Sequence, residues 1–137
     1  IFSLGFLNSA QAQTGEELVN MCTKLSDDTK YLKDFTFKLS GAAPGEEPPS
    51  QKKSLMLRKN TQYRFTICSS RDYPGRGILK IYSSSKLLAT NYIEKTGKMY
   101  PSVDLKVQKT GPYHIWIEFE DGKEGLAVVV LSFVKKL

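Results

Sequence analysis

Residues 110–134 read TGPYHIWIEFEDGKEGLAVVVLSFV, and this stretch sets the architecture of the chain. Between Tyr113 and Phe119 the odd positions are Tyr113, Ile115, Ile117 and Phe119, and the even ones are His114, Trp116 and Glu118. Alternation with a period of two is the signature of a strand with one buried face. Asp121-Gly122 follows, with Gly125 close behind, so the chain turns sharply where glycine tolerates positive φ. The return run, Leu126 to Val134, is β-branched and apolar at nearly every position, which calls for cover on both of its faces. The expectation is a long hairpin whose second strand lies against another sheet.

Working outward, the same period recurs. Phe35, Phe37 and Leu39 alternate with Asp34, Thr36 and Lys38. Ser54–Arg58, Gln62–Cys68, Ile78–Tyr82, Leu87–Tyr92 and Val103–Gln108 read as further short strands separated by turn signals. The segments 41–50, 69–77 and 94–102, rich in Gly, Pro and Ser, are loops. Before the strands, Leu18, Met21, Cys22 and Leu25 fall at helical spacing behind the acidic Glu16 and Glu17, which predicts one short amphipathic helix. About eight short strands with regular turns predict an all-β fold: a two-sheet antiparallel sandwich of jelly-roll type with one N-terminal helix.

The 137 residues suit a single domain, here 13–137, with 40% apolar and 25% charged residues. The first twelve residues differ in kind. An uncharged apolar run ends in Ala10-Gln11-Ala12, which reads as the remnant of a secretory signal peptide cleaved after Ala12. The run is too short to span a bilayer. Export, to the periplasm or beyond the cell, makes a Cys22–Cys68 disulfide the expected state of the only two cysteines, with two separate thiols as the alternative. No zinc cage can be built from two cysteines and a single histidine, and the sequence implies no cofactor. Asp27-Asp28 and the carboxylates around Asp121 and Glu124 leave calcium as an alternative, but D-G-K-E-G lacks the alternating oxygen ligands of a recognised calcium loop, and a simple turn is the better reading.

The net charge of +6 is dispersed along the chain as pairs such as Arg58-Lys59 and Lys135-Lys136. Nucleic-acid binding would call for a clustered basic stripe with aromatic platforms, so a solvated surface is the better reading. Catalysis finds little footing. His114 is the only histidine, no nucleophile elbow is present, and no catalytic residue is nominated. Asp104, Glu118 and Glu120 could share a face as a carboxylate set, although charges on the solvent side of strands are ordinary.

The succession L-x-L-x-K-N-T-Q-Y-R-F-T-I at 55–67, G-I-L-K-I-Y at 77–82 with L-L-A-T-N at 87–91, and V-Q-K-T-G-P-Y-H-I-W-I at 107–117 resembles bacterial pre-peptidase C-terminal domains. The resemblance covers residues 33–134. It implies a secreted β-sandwich module with an accessory or binding role toward protein or polysaccharide, and it supplies no catalytic residues. No protease domain accompanies it here, and the helix carrying Cys22 lies outside that pattern.

Two surfaces are candidates for binding. The first is His114 and Trp116, where an indole on the even face offers a stacking platform. Against it, the even positions of the last strand, Leu126, Val128 and Val130, also need cover, and the indole could be packed there or under the helix; that placement is the stronger reading. The second is the loop carrying Arg71, Tyr73 and Arg76, bent by Pro74 and Gly75. The functional expectation is a non-catalytic binding module, with a structural component of the bacterial envelope as the alternative. Oligomeric state is not legible.

Overall fold

A computed structural model describes residues 15–26 and 28–137; the expected signal-peptide remnant and Asp27 lie outside the described residues. Among the described residues, one α-helix, α1 (Gly15–Leu25), precedes ten strands. These are β1 (Lys30–Leu39), β2 (Ser50–Leu57), β3 (Thr61–Ser69), β4 (Gly77–Ser83) and β5 (Lys86–Thr90), then β6 (Tyr92–Ile93), β7 (Lys98–Met99), β8 (Ser102–Val107), β9 (Gly111–Phe119) and β10 (Gly125–Lys136). One four-stranded sheet has the order β1-β10-β3-β8 and the other β2-β9-β4-β5, with every neighbour antiparallel. This interleaved order, in which each sheet takes strands from both ends of the chain, is that of a jelly roll. A short β6–β7 ribbon follows, and its second strand falls in the 94–102 segment that reads as a plain loop.

The order corrects one expectation. β9 and β10 are not a hairpin: β9 pairs with β2 and β4, whereas β10 pairs with β1 and β3. The connection through Glu120–Gly122 lifts the chain from one sheet to the other, with Asp121 at φ 59° and Gly122 at φ 67°. Alternation reveals which side of a strand is buried, but two strands facing each other across a core alternate as two hydrogen-bonded neighbours do. The β4–β5 connection is a true hairpin, turning at Ser84.

The core lies between the sheets. Tyr113, Ile115, Ile117 and Phe119 of β9 face Ala127, Val129 and Leu131 of β10, together with Phe35, Phe37, Phe65 and Leu79. The other side of β10 explains its unbroken apolarity. Leu126, Val128 and Val130 are roofed by Leu18 and Cys22 of α1, which is joined by the disulfide to Cys68 on β3. Both faces of β10 are therefore dry, as the sequence predicts. The buried stripe of α1 is narrower than its pattern suggests, since Met21 and Leu25 are exposed while Leu18 and Cys22, one turn apart, carry the contact.

β1 and β2 each extend four residues before the stretches legible as strands. Their leading residues, Lys30–Lys33 and Ser50–Lys53, are mostly exposed because these are edge strands, and no apolar alternation marks them. The connections at 40–49, 70–76, 91–101 and 120–124 gather at one end of the sandwich. Those at 58–60, 84–85 and 108–110 gather at the other.

Candidate functional site

β9 is an inner strand of its sheet, so its even side chains stand at the middle of an outer face. Trp116 is flanked across the sheet by Lys52 of β2 and Lys80 of β4, and His114 by Ser54 and Tyr82. The indole is half-buried. Its ring leans on Tyr82, with centroids 5.5 Å apart and planes at 49°, and Lys52 Nζ lies 5.5 Å from its centre. Tilted aromatic pairs and a cation over the ring face are both favourable, so the indole is held in place and only partly covered. The helix and the even positions of β10 belong to the opposite sheet, so the packed placement expected from the sequence does not occur.

Lys80 Nζ donates to Glu118 Oε1 at 2.8 Å, and this bond raises the lysine pKa above its ordinary value against the opposing effect of burial. Glu120, two residues further on, accepts a two-pronged bond from Arg76 at 2.9 and 2.8 Å. Glu118 at the end of β9 and Glu120 just beyond it thus lead from the indole to the second candidate surface through two ion pairs. Asp104 lies on β8 in the other sheet, bound by Arg64, so the three carboxylates do not form one set.

In the 70–76 connection, Arg71 is exposed, but Tyr73 packs against the cluster under α1, with Lys38 Nζ 5.0 Å from its ring centre. Arg71 and Arg76 overlook a groove of about 440 Å³ closed on its far side by Met99, Tyr100 and Pro101. Asn91 builds this groove. Buried, it accepts from the Leu79 N–H at 2.7 Å and donates to the carbonyls of Gly77 and Tyr100, each at 3.3 Å. It substitutes for ladder bonds where β5 leaves β4. Nothing in its local sequence separates this role from that of an ordinary turn asparagine.

His114 Nδ1 lies 2.7 Å from Ser54 Oγ, a serine–histidine contact between residues 60 apart in the chain. No carboxylate among the described residues is bonded to the imidazole, and Ser54 sits exposed on an edge strand. A catalytic serine needs a base that a third group orients and donors aimed at the developing oxyanion. The pair as it stands is a surface hydrogen bond.

No family model matches the chain, and no curated protein matches it. Among solved structures, the fold is similar to that of PliG from Aeromonas hydrophila, a periplasmic lysozyme inhibitor of g-type lysozyme. The superposition gives a TM-score of 0.53 over 76% of this chain and 87% of that one, at 8% sequence identity. At that identity the likeness is one of fold.

Proposed function

We propose that this chain is an exported, non-catalytic binding module that recognises another protein in the periplasm or at the cell surface. The observation that carries the proposal is Trp116, an indole held in the middle of a sheet face by Tyr82 and Lys52 and half-buried, with part of its surface reaching solvent. Large rigid aromatics set among cations are the residues on which protein interfaces concentrate their energy. The Arg71–Arg76 connection, reached along Glu118 and Glu120, forms the second part of the contact. Export is supported by the disulfide, which persists in oxidising compartments. A protein partner is supported by the likeness to an inhibitor whose own target is a lysozyme. The motifs resembling pre-peptidase C-terminal domains favour the same accessory role.

Assembly by strand addition is the weaker reading. Of the edge strands of the two four-stranded sheets, β1 and β2 carry Lys30, Lys33, Lys38, Lys52 and Lys53, β5 carries Lys86, and β8 carries Asp104 and Lys106; charged edges oppose pairing with another chain. A photo-crosslinking residue at position 52, used in the native envelope with the adduct identified by mass spectrometry, tests the proposal. A discrete protein adduct is expected, with the complex reproduced from purified components and weakened at least tenfold by Trp116→Ala. Purified g-type lysozyme is the first partner to titrate. Lack of a protein adduct from both position 52 and position 71 overturns the reading.

A further inference from the structure

Six cations dispersed along the sequence meet at one place in the fold. The end of the sandwich formed by the 58–60, 84–85 and 108–110 connections carries two concavities, of about 500 and 490 Å³. Arg58, Lys59 and Lys136 line the first, and Lys86, Lys106 and Lys109 line the second. A smaller hollow of about 180 Å³ joins them, sharing Thr110 with the first and Ser83, Lys109 and Tyr113 with the second. No carboxylate among the described residues lines any of the three. None of the six cations is in an ion pair with a described residue. Asp28 and Asp104, on the neighbouring sheet face, are both taken by Arg64, at 3.1 and 2.7 Å. The acidic residues Glu46, Glu47, Asp72, Glu120, Asp121 and Glu124 all belong to connections at the opposite end.

We infer that this end is a binding groove for an anionic polysaccharide, a site separate from the Trp116 face and independent of what that face binds. Six cations without an acidic partner among the described residues, set along one continuous hollow, match a chain that carries repeated negative groups. A one-signed cleft draws such a ligand in. Asn60, Ser83, Ser84, Gln108 and Thr110 stand between the cations and supply the donors and acceptors that sugar hydroxyls require. A nucleic acid fits less well, because no exposed aromatic ring among the described residues lines the groove for base stacking. Tyr113, which does line it, is buried and donates its hydroxyl proton to the Lys109 carbonyl at 2.6 Å. A flat lipid surface would not enter a concavity.

The test is titration of the intact, disulfide-bonded protein with polygalacturonate, heparin, polyphosphate, neutral dextran, single-stranded DNA and phosphatidylglycerol vesicles, at several salt concentrations. The first two separate carboxylate from sulfate recognition, and polyphosphate reports bare anion binding. Saturable, salt-sensitive binding to at least one anionic polysaccharide and none to dextran is expected. The triple variants Arg58→Gln/Lys59→Gln/Lys136→Gln and Lys86→Gln/Lys106→Gln/Lys109→Gln should each lose at least tenfold in affinity. The slope of log affinity against log salt should fall by about 2 in each, at roughly 0.7 for every cation removed. The control Lys24→Gln/Lys95→Gln/Lys123→Gln removes the same charge elsewhere and should stay within twofold, with thermal melts showing all three variants folded. Equal losses in the control, unchanged binding in both groove variants, or tighter binding to DNA, polyphosphate or vesicles than to either polysaccharide overturns the inference.

Discussion

Cys22 on α1 and Cys68 on β3 are joined across 46 residues, with their Cα atoms 5.7 Å apart, and both are buried beside Val128 and Val130. The bridge therefore fastens α1 over the outer side of β10. Closing a loop of this length restricts the unfolded chain by about 4 kcal/mol in the chain-entropy model. The double variant Cys22→Ser/Cys68→Ser is expected to lose about 2–4 kcal/mol in urea unfolding. Labelling of the native oxidised protein should find no free thiol, and a labelled thiol would show that the helix is held by packing alone.

Gly125 begins β10 where the chain has just crossed between the sheets, and the Phe119 ring fills the space in which a side chain would stand. Phe119 is itself buried at the end of the core row of β9, so it has little room to retreat. Gly125→Ala is expected to cost about 1–3 kcal/mol, as overpacking of a filled core does. A melting temperature unchanged from the parent would mean that the ring moves aside freely.

What was legible in the sequence follows from periodicity, and what was not follows from contacts between distant segments. The buried row of β9, the two dry faces of β10 and the pairing of Cys22 with Cys68 could each be read from residue types at short spacing or from their number. The separation of β9 and β10 into different sheets could not, because burial patterns do not name a strand's hydrogen-bonded neighbour. Of the candidate site, the sequence singles out His114, Trp116, Arg71, Tyr73 and Arg76. It misses that Glu120, 44 residues from Arg76, pairs with it, and that Ser54 meets His114. The basic groove was hidden for the same reason, its cations coming from four separate parts of the chain.

Arg64 gathers Asp104 and Asp28 on the outer side of the β3–β8 pair. Hydrogen bonding to Arg64, helped by Gln62 and opposed by burial, holds the Asp104 carboxyl below its ordinary value of 3.8. A carboxylate whose pKa is lower in the folded state adds stability above its unfolded pKa and loses it as pH falls through the folded one. The stability gap between the parent and Asp104→Asn should therefore be constant from neutral pH down to about 5 and close progressively below about 4. Asp104 is one-third exposed, so solvent screens the pair and the gap is modest. Denaturant melts at a series of pH values read it directly, and a gap independent of pH would leave the ion pair without a part in acid stability.

Trp116 and Ile117 are adjacent on β9 and point to opposite sides of the sheet. Ile117 is fully buried between the sheets, whereas Trp116 is half-buried on the outer face against Tyr82. Truncating Ile117 to alanine leaves a cavity that the packed rows on either side cannot close, at a cost of about 2–5 kcal/mol. Truncating Trp116 removes one tilted ring pair, one cation–ring attraction and part of an indole's buried area from a surface that water can refill, at a cost of about 1–2 kcal/mol. Trp116→Ala should therefore melt close to the parent while losing partner binding. Ile117→Ala should melt far lower yet keep its affinity wherever it remains folded. If Trp116→Ala unfolds as readily as Ile117→Ala, the indole serves the core and the binding face must lie elsewhere.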